Sequence, residues 1–154
     1  MLAQRPEEDC MIGPFRGPHA FLSNFHPCSF YWAGRQWPTL EHVYQAAKCE
    51  DLGDRDTIHR ARTPGEAKRL GRGVVLRPNW ERVKLCAMHD LLLVKFKDPV
   101  LRSKLLATGE EELVEVNDWG DTFWGVCRGE GYNYLGNLLM IVRDHYRRAA
   151  GLGA

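Results

Sequence analysis

Glu41, Gln45 and Lys48 are spaced so that a single helix would carry a carboxylate, an amide and an amine along one stripe. At about 100° per residue these three share a side with Tyr44 close by, while Leu40, Val43, Ala46 and Ala47 fall on the other. Glu41 and Lys48 stand two turns apart, roughly 10 Å along the axis, which is too far for a simple ion pair. That separation suits two groups touching different ends of a sugar-sized substrate. A carboxylate beside an anomeric carbon stabilises developing positive charge or positions a water. A lysine whose pKa is lowered by burial or by a neighbouring cation becomes a nucleophile. The ordinary alternative is an amphipathic helix turning its polar stripe to water, and spacing alone does not decide between the two.

A second concentration of chemistry lies near the C-terminus. The stretch Asn117-Asp118-Trp119-Gly120-Asp121-Thr122-Phe123-Trp124-Gly125 packs three large aromatics and two carboxylates into a loop. Gly129-Glu130-Gly131-Tyr132-Asn133 then leads into a helix start. Loops lie at the surface, so aromatics gathered there need a reason. They read either as a stacking wall for a flat base, with helix-start amides facing a phosphate, or as a lid folded back over the core. The glycines do not follow G-x-G-x-x-G and no βαβ unit surrounds them, which argues against a dinucleotide fold of that kind. The basic run Lys68-Arg69-Leu70-Gly71-Arg72 could hold a phosphate or simply end a helix with cations. Trp80 is either a core anchor or a pocket wall.

The elements that must position these groups follow from local signals. Residues 1–18 are rich in Pro, Gly and charge and are expected to be irregular, the first fourteen as a lead-in to the domain, with 149–154 as a tail. Ser29–Trp32 and Gln36-Trp37, around Ala33-Gly34-Arg35, predict a short hairpin. Pro38 and Thr39 open the first helix, with Thr39 as N-cap. Asp51–Arg62 reads as a helix, and Thr63-Pro64-Gly65-Glu66 as a capping box starting another that ends at Gly71. Asn79–Lys97 has apolar residues over most of its wheel and is expected to be the central, most buried helix. Asp98-Pro99 closes it and starts a helix to about Ala107. Leu113–Val116 alternates weakly as a strand. Asn133 is expected to cap a last helix with Leu135, Leu138, Leu139, Val142 and Tyr146 on one stripe.

The chain is therefore expected to be a single α+β domain over 1–154, predominantly α, compact, with a central buried helix and a few short strands. Its 154 residues suffice for one core. A formal charge of +1 offers no field for wholesale nucleic-acid wrapping, although a local basic patch for a short single strand stays open. No apolar run approaches the length of a membrane span. Met1–Asp9 lacks the core of a secretory signal, so a cytoplasmic location is expected. The five cysteines form no Cys-x-x-Cys pair and read as free buried thiols. The scattered histidines provide no ligand spacing, so neither metal nor cofactor is expected.

Taken together the segments resemble the NADAR (NAD- and ADP-ribose-associated) family. The likeness runs through Phe21-Leu22-Ser23-Asn24-Phe25, Glu41-His42 with Gln45-Ala46 and Lys48, and Ala67-Lys68 with Gly71-Arg72. It continues through Trp80, Met88, Lys95-Phe96, Thr108-Gly109, Leu113-Val114-Glu115, Trp124-Gly125, Gly131, Asn133, Leu135-Gly136, Leu139-Met140 and Arg143. It spans roughly residues 15 to 146 in the family's order. Cys49 departs from the usual aromatic or small apolar residue, and Asp51–Thr63 follows no family pattern.

The resemblance implies an N-glycosidase acting on ribosides joined to nitrogen. Two substrate groups come with it: phosphorylated ribosylamino-pyrimidines of riboflavin synthesis, and ADP-ribose on guanine in nucleotides or nucleic acid, whose removal is antitoxin-like. The family's catalytic lysine falls on Lys48 and its carboxylate on Glu41. On this reading Lys48 forms a Schiff base with the ribose while Glu41 handles protons, or Lys48 is a charge clamp and Glu41 activates water directly. Asp121 is a second candidate for a catalytic carboxylate, expected to contact ribose hydroxyls. Trp124 with Gly125 and Trp80 would hold the base, and Ser23, Asn24, Tyr44, Gln45 and Asn133 would hold the rest of the riboside. Lys68 and Arg72 would meet phosphate. A non-catalytic module that reads ADP-ribose or NAD would use the same wall and basic edge.

Overall fold

The computed structural model describes residues 10–153. Along the chain come β1 (Met11–Ile12), a 3₁₀ helix (Gly17–Leu22), β2 (Pro27–Trp32), β3 (Arg35–Thr39), α1 (Leu40–Ala47), α2 (Leu52–His59) and α3 (Pro64–Gly71). Then follow α4 (Trp80–Lys95), α5 (Pro99–Ala107), β4 (Glu112–Leu113), β5 (Val116–Asn117), β6 (Val126–Cys127) and α6 (Tyr134–Ala149). The strands form three separate two-stranded ladders, β2–β3 antiparallel, β1–β4 parallel and β5–β6 parallel. The fold is thus α+β and mainly helical, as expected. β1 lies within the stretch expected to be irregular, because it pairs with β4, about a hundred residues away in sequence. The part of the lead-in over 1–9 lies outside the described residues.

Local chemistry sets the helix starts. Thr39 caps α1, its Oγ1 accepting from the His42 amide at 3.2 Å. Pro38 belongs to β3 rather than to the helix. The Thr63 hydroxyl accepts from the Glu66 amide at 3.1 Å, and Glu66 reaches back to the Arg62 amide at 2.7 Å, one residue before the usual capping-box target. Asp98 caps α5 by accepting from the Val100 and Leu101 amides. Asn133 does not cap α6: it sits at φ 52° and makes no side-chain cap bond, its amide being used elsewhere.

The central helix is α1, not the one over Asn79–Lys97 that the pattern favours. All eight α1 residues are buried, and the helix packs on α2, α3, α4 and β3. In α4 only Trp80, Met88, Leu91, Leu92 and Lys95 are buried, while Val83 and Val94 are exposed. Length explains the exchange. A helix of eight residues rises roughly 12 Å and can be covered on every side, whereas sixteen residues rise roughly 24 Å and run along an edge. His42 fastens α1 from behind: its Nε2 lies 3.1 Å from the Ala61 carbonyl and its Nδ1 2.7 Å from Thr39 Oγ1. A carbonyl only accepts, so Nε2 carries the hydrogen and Nδ1 accepts from the hydroxyl. Burial lowers the His42 pKa and keeps this neutral form.

The cysteines are free, but burial is not general: Cys49 and Cys127 are buried, whereas Cys10 and Cys86 are exposed. Among the described residues no helix is long and apolar enough to cross a membrane.

Candidate active site

The polar stripe of α1 does not face water. It forms one wall of a cavity of about 400 Å³, to which Glu41, Tyr44, Gln45 and Lys48 all contribute. Glu41 is 6% exposed and Gln45 2%, which disposes of the amphipathic-surface alternative. A buried carboxylate must be hydrogen-bonded to be tolerated, and Gln45 Nε2 donates to Glu41 Oε1 at 2.7 Å. The Gln45 amide is itself held by α3, because a Cβ at Gly71 would lie 1.9 Å from its Oε1. The Glu41 backbone amide donates to the Asn24 carbonyl at 3.1 Å, tying the helix to the Ser23–Phe25 turn.

Burial pushes the Glu41 carboxyl up, opposed by the Gln45 hydrogen bond and by the charges of Lys68 and Lys48, and reinforced by Asp121. Burial pushes Lys48 down, opposed by Glu41 and reinforced by Lys68, Lys84 and Arg72. Both groups are thus drawn toward neutrality. Lys48 follows the last turn of α1, its Nζ 5.3 Å from the centre of the Tyr44 ring. A neutral amine here retains its lone pair, which is what a nucleophilic lysine requires.

The other walls come from distant parts of the chain. Lys68 and Arg72, at the end of α3, supply two cations. Ser23 and Asn24 line the turn. Ser23 Oγ accepts from the Phe25 amide, and the Ser23 carbonyl accepts from buried Lys95 Nζ at 2.8 Å. Asn24 donates weakly to Met88 Sδ at 3.6 Å, while its Oδ1 is buried without a partner. The aromatic loop supplies Trp119, Gly120, Asp121 and Trp124. Trp124 meets Tyr44 edge to face, with centroids 5.6 Å apart, and Lys68 Nζ lies 5.8 Å over the Trp119 ring.

Asp121 spends one oxygen on the loop itself. Its Oδ1 accepts from the Phe123 and Trp124 amides at 3.1 and 2.9 Å, and its own amide donates to Asn117 Oδ1. Its first task is therefore to aim Trp124.

Three residues expected in the site do not line the cavity. Trp80 is a core anchor, 4% exposed and packed on Tyr44 from behind at 5.4 Å. Gly125 and Asn133 act on Glu115 instead. A Cβ at Gly125 would lie 2.2 Å from the Glu115 carbonyl oxygen. Asn133 Oδ1 accepts from the Glu115 amide at 3.0 Å while its Nδ2 donates to the Leu113 carbonyl at 2.9 Å. Phe25, Met88, Glu115, Trp119, Gly120 and Leu135 also line the cavity, although the sequence singles out none of them as a site residue: Trp119 and Gly120 stand out only within the aromatic loop and the others only within the family likeness. Of these Glu115 had a signal: a lone carboxylate between Val114 and Val116 in a weak strand pattern. Burial pushes it up to about 7, with the charge of Asp121 adding to the effect. Among the described residues no group of three or more His, Cys, Asp or Glu could hold a metal ion.

A model of the NADAR domain matches residues 12–147, and the chain belongs to that family. It is 40% identical over 144 residues to the N-glycosidase Npun_R5314 of Nostoc punctiforme, covering 88% of this chain and 90% of that protein. It is 38% identical over 136 residues to the riboflavin biosynthesis protein VVA0006 of Vibrio vulnificus, covering 86% of this chain but 37% of that one. N-glycosidase YbiA of Escherichia coli is 42% identical over 127 residues, covering 80% of this chain and 79% of that protein. The NMR structure of YbiA matches with a TM-score of 0.83 at 35% identity, over 99% of this chain and 94% of that one.

Proposed function

We propose that this chain is an N-glycosidase that hydrolyses the C–N bond between a phosphorylated ribose and a base. The observation that carries the reading is that buried Glu41 and half-buried Lys48 line one cavity, each drawn toward its neutral form, with Lys68 and Arg72 at the same cavity. A carboxyl, an amine whose pKa is lowered and a cationic edge suit a ribosyl transfer to water, as proton handler, nucleophile and phosphate holder. The relatives named N-glycosidases support the same activity.

On this reading Lys48 attacks the anomeric carbon, the base departs, and the ring-opened ribose is held as a Schiff base until water releases it. Glu41 handles protons and the sugar hydroxyls. Trp124 lies against one face of the base, Asn24 offers its unpartnered oxygen, and Asp121 keeps the aromatic loop in place. About 400 Å³ is at the small end of ligand sites, so one nucleoside phosphate fits inside and the remainder of a larger substrate stays outside the mouth. Two substrates satisfy this: a phosphorylated ribosylamino-pyrimidine, and ADP-ribose joined to guanine in a nucleotide or a short single strand. A module that merely reads ADP-ribose has no use for a carboxyl buried at such cost.

The test is release of free sugar from both substrates by wild type, Lys48→Ala and Glu41→Ala, with borohydride added during turnover. Turnover lost in both variants, with a riboside adduct trapped on wild type and absent from Lys48→Ala, is the expected result. Turnover without an adduct replaces the covalent route by direct attack of water. Binding of ADP-ribose retained in Glu41→Gln, with no turnover by wild type on either substrate, establishes the reader instead.

A further inference from the structure

Cleavage of a bond between ribose and a nitrogen leaves that nitrogen with an electron pair, and a base that is a poor leaving group needs a proton as it departs. Glu41 is placed for the sugar side, on the helix that carries Lys48, with one oxygen already accepting from Gln45. Glu115 enters the same cavity from a different element, the connection between β4 and β5. Its Oε2 is buried and has no hydrogen-bond partner. Its backbone, by contrast, is clamped from both sides. Its amide donates to Asn133 Oδ1 at 3.0 Å and its carbonyl accepts from the Val126 amide at 2.8 Å. Gly125 allows that carbonyl to lie where a Cβ would come within 2.2 Å. A side chain held this firmly with an unspent oxygen in a cavity is positioned for a ligand.

We propose that Glu115 is the general acid of the site, delivering its proton to the glycosidic nitrogen; this rests on the N-glycosidase reading. As the C–N bond breaks, its electron pair stays on nitrogen, which takes the proton from Glu115 and leaves as a neutral amine or base. The Lys48 amine forms the new bond to the anomeric carbon and becomes cationic, and Glu115 becomes a carboxylate. In the second half water adds to that carbon, the Lys48–carbon bond breaks with its electrons returning to lysine, and the surplus proton returns to Glu115. Burial and the negative charge of Asp121 keep the carboxyl protonated up to about pH 7, and Lys68 and Arg16 oppose this only in part. The segment that holds Glu115 thereby explains why Gly125 and Asn133 lie behind the site and not in it.

The decisive experiment uses 5-phosphoribosyl anilines of graded amine basicity, alongside the two substrates named above, with wild type, Glu115→Gln and Glu115→Asp. Wild type should lose kcat as pH rises through about 7, because the acid is then ionised. Glu115→Gln should lower kcat by about 10²–10⁴-fold with KM little changed, abolish that alkaline limb, and depend more steeply on amine basicity. Glu115→Asp keeps the carboxyl at a shorter reach, so it should be slow and retain a limb; if Glu115→Gln does not fold, a kcat of Glu115→Asp equal to wild type overturns the proposal. So does a folded Glu115→Gln that keeps the wild-type limb and slope, whatever its rate, and the glycosidase reading then survives. If wild type releases sugar from none of these ribosides, the glycosidase reading falls and takes this assignment with it.

Discussion

Gly71→Ala adds one methyl group behind the site without touching the cavity, and its effect can be worked out from the contact it makes. Gly71 ends α3 with ordinary helical geometry, so the backbone accepts alanine, and helix propensity alone would favour the change by about 1 kcal/mol. The new Cβ, however, would lie 1.9 Å from Gln45 Oε1, 2.7 Å from its Cδ and 3.0 Å from its Cβ. Gln45 is 2% exposed, and its side chain is packed between α3, Glu41 and the cavity it lines. Relief therefore requires moving it off Glu41, breaking the 2.7 Å bond, or pushing α3 away from α1. Overpacking costs about 1–3 kcal/mol, and a hydrogen bond to a carboxylate about 1.5–3 kcal/mol. Either route alone, less the propensity gain, leaves the variant up to about 2 kcal/mol less stable than wild type. For a chain of this size that is a fall in Tm of up to about 8 °C.

Activity should follow by a separate route. Without the Gln45 donor the Glu41 carboxyl is pushed further up, so the pH at which Glu41 ionises moves in the alkaline direction. Thermal unfolding, kcat/KM against pH and the double variant Gly71→Ala with Gln45→Ala form the assay. Removing the carboxamide removes the clash, so in the double variant Gly71→Ala should cost less than about 1 kcal/mol. A single variant as stable as wild type with an unshifted pH profile would refute the reasoning, since it would show that Gln45 is not wedged between Gly71 and Glu41.

Trp124→Ala should raise KM for the proposed ribosides about 10–100-fold, the loss of one stacked base, while Tm falls only a few degrees because the indole is half-buried at the cavity edge. A collapsed Tm with KM unchanged in the surviving fraction would make the tryptophan core filler. Lys95 should give the fold a pH dependence of unusual sign. Burial depresses its pKa from 10.5 to about 8, so the unfolded chain binds the extra proton between those values and stability rises as pH rises through that window. The full penalty, roughly 3 kcal/mol, is present below pH 8. Denaturant titrations from pH 7 to 10.5 should therefore show a rise that Lys95→Met lacks, and parallel curves for the two proteins would sink the idea.

What could be read from the sequence divides by range. The caps at Thr39, Thr63 and Asp98 are contacts over two or three residues, so composition at those positions announces them. The Glu41–Gln45–Lys48 stripe is likewise local, being a matter of helical period. Its burial is not local: whether a polar stripe meets water or a cavity depends on the turn at Asn24, the end of α3 and the aromatic loop, all distant in sequence. The parallel ladders β1–β4 and β5–β6 are two residues long, too short to carry a period: the single strand expected over Leu113–Val116 is split between the end of β4 and the start of β5, and no local signal marks β1 or β6.

The same division separates residues that act from residues that hold. Asp121, Asn133, Gly125 and Glu115 occupy one short region and have equal claim by type and spacing. Hydrogen-bond direction distinguishes them. Asp121 Oδ1 is spent on two loop amides, Asn133 is spent on two backbone groups, and Gly125 contributes only the space it leaves. Glu115 alone of these four has a buried side-chain oxygen with no partner. Three residues therefore serve the frame, and the fourth, whose backbone Asn133 fixes and Gly125 leaves room for, keeps its side chain for the cavity. Chemistry at this site should thus be far more sensitive to Glu115→Gln than the fold is, and the fold more sensitive to Asn133→Ala than Glu115→Gln makes it.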